Sequence, residues 1–214
     1  MAKEKITYPK FITPKGSFIY PWLTKADTRF NPEGVYSCGL SMAADEAESF
    51  IKKLDDLLEK TYQDAVKAAK PQDKNKLSKE EAWSVVYDSD GNETDRVSIK
   101  TKLKATITAK DGTTYTQAPK LFDSKGQPLP AKISPYGGTI GKLSVEAVPY
   151  TMASTKKVGI SLRLKAAQVI NLVQGGGGGD ADSYGFGKED GFEVSSDTPF
   201  DISDIDTPSE EEDF

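Results

Sequence analysis

Along residues 36–42, and again along 97–107, apolar and polar positions alternate with the period of two that sends successive side chains to opposite faces of a strand. Tyr36, Cys38, Leu40 and Met42 share one face of the first run; Val97, Ile99, Thr101, Leu103, Ala105 and Ile107 share one face of the second. The other face of the second run carries Ser98, Lys100, Lys102, Lys104, Thr106 and Thr108, so three lysines are expected to project together. Val158, Ile160, Leu162 and Leu164 mark a further strand with Arg163 and Lys165 on its polar side, and Lys142 to Tyr150 another with Leu143 and Val145 inside. Between the first two runs the period changes. Phe50, Leu54, Leu57, Leu58, Tyr62 and Ala65 recur at helical spacing, Asp45 and Glu48 fit a capping box, and Pro71 stops the run. Ser78-Lys79-Glu80-Glu81 reads as the cap of a second, short helix carrying Trp83 and Val86. Turn chemistry at Asp111-Gly112, Asp123-Ser124-Lys125-Gly126 and Gly137-Gly138 separates the strands.

At least five or six strands, a helical insertion over about 43–86 and no βαβ rhythm predict a mainly β fold, a small antiparallel barrel or sandwich. Basic runs on the polar faces of strands favour a barrel that binds along its outer surface. The five-stranded oligonucleotide/oligosaccharide-binding barrel, the OB-fold, fits best.

Composition narrows the chemistry. The 214 residues include no His and one Cys. The absent histidine removes His bases, the usual zinc sites and every Ser-His or Cys-His nucleophile pair. A single Cys38 makes no internal disulfide, no run approaches the ~20 apolar residues of a membrane span, and Met1 to Lys5 lacks the apolar stretch of a secretory signal. A reducing cytosol is the expected compartment.

The net charge of −5 conceals two opposed parts. Residues 175–214 hold 13 acidic residues and one base, Lys188, whereas residues 96–174 hold 13 bases and 3 acids. Residues 1–174 are therefore expected to form the binding domain. The remainder, opened by the glycine hinge Gly175 to Gly179, is expected to be a disordered acidic interaction tail. Phe186, Phe192, Phe200 and Phe214 sit isolated among its acids, which suggests short anchors for other surfaces. Tethered to a basic body, such a tail is expected to fold back over it, mimic the phosphates of a polyanionic ligand and be displaced by that ligand.

Two motifs superficially promise catalysis. Tyr136-Gly137-Gly138-Thr139-Ile140-Gly141-Lys142-Leu143 lacks the earlier glycine of a phosphate loop, places Leu143 where Ser or Thr would hold magnesium, and precedes a strand rather than a helix. Asp88-Ser89-Asp90-Gly91 has its glycine too early for a calcium loop. Asp88, Asp90, Asp111 and Asp123 lie in Gly-containing turns, where Asp is expected for backbone reasons, so a two-metal centre including Asp95 is disfavoured. No enzyme, metal or cofactor is expected. Lys100, Lys102, Lys104, Lys142, Arg163 and Lys165 suit phosphate neutralisation, and Trp22, Tyr115, Tyr136 and Tyr150 offer rings on which unpaired bases stack. A basic β-barrel that binds RNA or protein is the alternative.

The order of these parts resembles the single-stranded DNA-binding proteins of short-tailed bacteriophages, over essentially the whole chain. The resemblance is carried by Asn31-Pro32-Glu33-Gly34-Val35-Tyr36, Phe122-Asp123-Ser124-Lys125-Gly126, Ala147-Val148-Pro149-Tyr150, the strand Val158 to Val173 leading into Gly175 to Gly179, and Glu212-Asp213-Phe214. It implies an OB-fold that coats single-stranded DNA in replication, recombination, repair and annealing, in the cytoplasm of the infected bacterial host. It also implies a tail, here Glu210, Glu211, Glu212, Asp213 and Phe214, that contacts the phage DNA polymerase and helicase-primase, and a homodimer. By the same resemblance Tyr150 is a base-stacking residue, and Lys3 and Lys5 form an N-terminal basic patch. Glu33 departs from the family, which can carry a base at that position.

Overall fold

The structure, a computed structural model, describes residues 7–109 and 111–174; Lys3, Lys5 and the expected hinge and tail lie outside the described residues. In chain order the strands are β1 (Lys10–Ile12), β2 (Gly16–Asp27), β3 (Val35–Ala43), β4 (Ser78–Glu80), β5 (Trp83–Tyr87), β6 (Glu93–Lys104), β7 (Thr106–Thr108), β8 (Thr114–Thr116), β9 (Lys120–Phe122), β10 (Ile140–Thr151) and β11 (Lys157–Asn171). The helices α1 (Ala44–Ala68) and α2 (Pro71–Lys74) fall between β3 and β4.

Five strands close on themselves. β10 pairs with β2, β2 with β3, β3 with β6, β6 with β11, and β11 returns to β10. Four of these seams are antiparallel; the β6–β11 seam is a short parallel closure of Thr101 on Leu162 and Lys102 on Arg163. This is the expected five-stranded OB barrel. The alternation dictates its wall: Cys38, Leu40, Met42, Val97, Ile99, Leu103, Val145, Leu162 and Leu164 are buried inside, and their odd-even partners face out. Close backbone approach explains the glycines that imitated a phosphate loop. Gly138 turns with φ +87°, and a Cβ on Gly141 would run into the Phe18 ring and the Gln168 carbonyl.

The helix α1 amphipathically presents Ala47, Phe50, Leu54 and Leu58 to the same core, packing on β3, β6, β10 and β11. Each large apolar side chain buried there contributes about 1.5–3 kcal/mol. The expected capping box does not form: Ala43 holds the N-cap position, and the Asp45 carboxylate accepts instead from its neighbour Glu46 N–H at 2.7 Å. Pro71 acts as expected, ending α1 and opening the single turn of α2.

The expected second helix is absent. Ser78–Glu80 pairs in parallel with Lys157–Gly159, and Trp83–Tyr87 pairs antiparallel with β6. Local capping chemistry lost there to the unpaired edges of β6 and β11, whose backbone groups need partners. The strand expected to run to Ile107 also stops early. Ala105 N–H turns to the Gly34 carbonyl at 2.9 Å, and Ile107 stands exposed in the separate β7–β8 ribbon opposite Tyr115.

Candidate nucleic-acid interface

Residues directly opposite one another on paired strands share a face. Following that rule outside the barrel, Trp22 on β2 lies beside Ser37 on β3, Ser37 beside Lys102 on β6, Lys102 beside Arg163 on β11, and Arg163 beside Glu146 on β10. One step along, Ile19, Gly39 and Lys100 form the next row. The outer surface is thus a belt with three zones. A cationic bank comes from β6 and β11, and an aromatic bank from β2. Between them the outward positions of β3 (Ser37, Gly39, Ser41) are small, so the floor is low. Arg96 closes one end of that floor, donating to the Ser41 hydroxyl at 2.8 Å and its carbonyl at 2.9 Å.

The cationic bank is not uniform. Lys100 and Lys102 are exposed and form no ion pair among the described residues. Lys104 lies 4.0 Å from Glu33. Arg163 and Lys165 both engage Glu146, at 3.4 and 3.7 Å, and the Arg163 guanidinium stands 5.6 Å from the Tyr8 ring. The Lys104–Glu33 pair is exposed and stabilises little; the Glu146 pairs are part-buried on the carboxylate side, and all three set how much positive charge is free for a ligand.

On the aromatic bank, Trp22 shares a hollow of about 620 Å³ with Tyr20 and Tyr136. Tyr20 is 85% exposed and has φ 45°, a left-handed backbone that a non-glycine residue adopts only at a cost of roughly 1–2 kcal/mol. It marks the bulge at which β2 gains one residue over β3 between Ile19 and Trp22. Trp22 carries the Arg29 guanidinium 4.8 Å from its ring centre, and Arg29 is also 5.8 Å from the Phe30 ring. A bidentate contact to Asp27, at 3.0 and 2.9 Å, holds Arg29 in place and the Asp27 carboxyl below its ordinary value. Phe30 is 91% exposed, so one of its faces is open.

Tyr150 comes to the cationic bank by another route. It lines a hollow of about 450 Å³ with Lys100, Lys102 and Trp83. Its ring rests directly on Gly159, and its hydroxyl donates to Glu80 at 2.7 Å, while Lys157 holds the other Glu80 oxygen at 3.0 Å. Burial, then the carboxylate partner, pushes the phenol up to about 12. Trp83 donates its indole N–H to Asp55 at 3.0 Å.

The structure therefore gathers Trp22, Lys100, Lys102, Lys104, Tyr136, Tyr150, Arg163 and Lys165 on or beside one belt. Tyr115 stands on the β7–β8 ribbon just beyond Lys104, anchored by Gln117, which donates to the Lys104 and Ala105 carbonyls. Lys142 lies apart, against β1 and the first turns of α1. Sequence reasoning missed Tyr20, Arg29, Phe30, Arg96 and Glu146. The floor alone had a signal: Ser37, Gly39 and Ser41 alternate with Cys38, Leu40 and Met42. The carboxylates of the polar turns are occupied by backbone. Asp88 accepts from Asp90 and Asn92 N–H, Asp111 from Thr113, and Asp123 from Lys125 and Gln127.

Residues 10–196 match the family model described as Enterobacter phage Enc34, ssDNA-binding protein. The fold is similar to that of gp2.5, a single-stranded DNA-binding protein encoded by bacteriophage T7, with a TM-score of 0.66 at 22% identity over 88% of this chain and 100% of that one. It is also similar to the single-stranded DNA-binding protein from bacteriophage Enc34, with a TM-score of 0.52 at 16% identity over 85% and 99% of the two chains. The same Enc34 protein in complex with ssDNA gives 0.51 at 14% identity over 80% and 98%. No curated protein matches the chain by sequence. The chain belongs to the Enc34-type family of phage single-stranded DNA-binding proteins, whose activity is binding rather than catalysis.

Proposed function

We propose that this protein coats single-stranded DNA without reading its sequence, laying the strand across the outer belt of the barrel. The observation that carries the reading is the row Trp22, Ser37, Lys102, Arg163: a stacking bank and a cationic bank separated by a floor too low to obstruct a chain of bases. Phosphates on the β6–β11 side release counterions and supply affinity independent of sequence. Rings on the β2 side accept any base, because every base has a π-face, at about 1–3 kcal/mol each. Tyr20, Trp22, Tyr136 and Phe30 are the residues assigned to stacking, and Lys100, Lys102 and Lys104 to phosphate. Arg163 and Lys165 contribute in part, because Glu146 shares their charge. Tyr150 supports the cationic bank through Glu80.

The test is a titration of the full chain with labelled oligo-dT across a salt series, with duplex DNA and a structured RNA as controls. Single-strand preference, quenched Trp emission and a steep salt slope are expected. Preference for duplex or structured RNA, or no binding, would overturn the reading in favour of an RNA- or protein-binding barrel.

We extend the proposal to its setting. Such a coat serves DNA replication, recombination, repair and annealing in the cytoplasm of an infected bacterium. The acidic, Phe-containing segment Glu210–Phe214 suits contact with the phage DNA polymerase and helicase-primase. Deleting residues 210–214 should abolish retention of both partners on the immobilised protein while leaving its oligo-dT affinity within about two-fold. Equal retention would sink the partner assignment. Sedimentation of the full chain tests the homodimer.

A further inference from the structure

The central row of the belt does not end at Arg163. It runs on to Glu146 on β10 and then to Lys10 on β1, each the cross-strand neighbour of the one before. Lys10 thus stands about 14 Å around the wall from Lys102, at roughly 4.8 Å per strand. Four lysines converge there. Lys10 on β1, Lys15 just after it, Lys53 on α1 and Lys142 on β10 line one hollow of about 920 Å³. Glu46 is the only carboxylate on its wall among the described residues. None of the four lysines makes an ion pair among the described residues, whereas Lys67, Lys79, Lys156 and Lys157 each have a carboxylate partner. Glu146 does not neutralise Lys10, because its two oxygens are engaged by Arg163 and Lys165.

Like charges gathered without compensation repel, so the hollow favours an anionic ligand. Its walls decide which kind. No exposed ring face lines it: Phe50 is buried, and the half-buried Phe11 meets it edge to face at 6.3 Å. A single strand is held best where rings accept its bases, as on the belt. Lysine ammoniums hold phosphates as point charges and read no base. A ligand that offers phosphates alone, its bases already stacked on one another, is duplex DNA, with one negative charge per about 1.7 Å of axis. An acidic protein surface is the competing class. The place of the hollow on the belt's own row favours DNA, because a strand that leaves the belt past Arg163 arrives there. Glu146 stands between the two cationic zones and makes them two sites, not one continuous track.

We propose that the lysine-rimmed hollow is a second nucleic-acid site, which holds the phosphate backbone of duplex DNA adjoining the single strand on the belt. The proposal rests on the single-strand reading of the belt and makes a junction of single-stranded and duplex DNA the preferred ligand. Phosphates of the duplex lie against Lys10, Lys15, Lys53 and Lys142. Duplex by itself meets these charges and gains no stacking, so the preference for single strands over blunt duplex stands.

Lysine acetylation of the full chain, followed residue by residue by peptide mass spectrometry, tests this. A hairpin duplex with a short oligo-dT overhang should slow acetylation of Lys10, Lys15, Lys53 and Lys142 at least about five-fold, whereas oligo-dT matching the overhang should slow Lys100 and Lys102 only. At low salt a blunt duplex should protect the lysines of the hollow more than those of the belt. The hairpin should also bind at least about five-fold more tightly than the matching oligo-dT. The full chain carrying Lys10→Gln and Lys53→Gln, both exposed positions, should lose that gain and keep its oligo-dT affinity. Protection of the hollow by oligo-dT would make it part of the single-strand path and overturn the proposal. So would an unprotected hollow with the hairpin, or stronger protection by poly-glutamate than by the hairpin, which would assign the hollow to an acidic protein. If oligo-dT leaves Lys100 and Lys102 unprotected, it is the belt reading that fails, and the blunt duplex still reports on the hollow alone.

Discussion

Single side chains on the belt carry separable shares of binding. Lys102 sits at the centre of the outward row, exposed and without a carboxylate partner among the described residues, so its charge is fully available to a phosphate. Lys102→Ala should lower the salt slope of oligo-dT binding by about 0.7, the share of one phosphate on a single strand. Glu146 works in the opposite sense by holding Arg163 and Lys165. Glu146→Gln should tighten oligo-dT binding a few-fold at low salt, with the gain fading as salt rises, because exposed charges are screened. Tyr20 separates function from stability. Its φ of 45° suits glycine, so Tyr20→Gly should leave thermal stability unchanged or raised, while affinity falls at least about five-fold from the lost stacking face. A mutant that is less stable yet binds normally would remove Tyr20 from the site. The lysines of β6 were legible in the sequence because strand alternation fixes their face. Tyr20 and Glu146 were not, because a bulge and a cross-strand partner are invisible along the chain.

At the scale of elements, β4 is three residues long, and much of its attachment runs through Glu80. The carboxylate accepts from Tyr150 and pairs with Lys157, which tie β4 to the β10–β11 hairpin. The Tyr150 hydrogen bond, then Lys157, lowers the Glu80 pKa. A carboxylate depressed in the folded state contributes stability above its unfolded pKa and loses it as pH falls through the folded value. The wild type should therefore exceed Glu80→Gln in thermal midpoint at pH 7, and the gap should close as the pH falls below the ordinary Glu range. A gap constant with pH would mean the carboxylate is not what ties β4 in place. This element is also where local reading failed. Ser78 to Glu81 has the composition of a helix cap, but β11 and β6 offered open edges, and pairing outweighed propensity. Helix α1 was legible to within a few residues because its apolar stripe is long and Pro71 bounds it.

Over the whole molecule, the sequence separates 13 acidic residues in the last forty from a basic body. Removing residues 175–214 should tighten oligo-dT binding at low salt, and the two proteins should converge toward 1 M salt, where charges act over only about 3 Å. Equal affinity at every salt would mean that the tail's charge is not felt at the belt. The sequence by itself determined the barrel class, the inward faces of β3, β6, β10 and β11, the helix and the opposed charges, because periodicity and composition are properties of neighbours along the chain; β2, bulged at Tyr20, was not legible in that way. Only the tertiary structure decided the rest. Closing β6 on β11 set Lys102 beside Arg163, the bulge in β2 set Tyr20 and Trp22 at the hollow that Tyr136 lines from before β10, and packing β1 against α1 and β10 drew Lys10, Lys53 and Lys142 together from distant parts of the chain. Strand register and barrel closure make those neighbours, and both depend on which edges find each other in three dimensions.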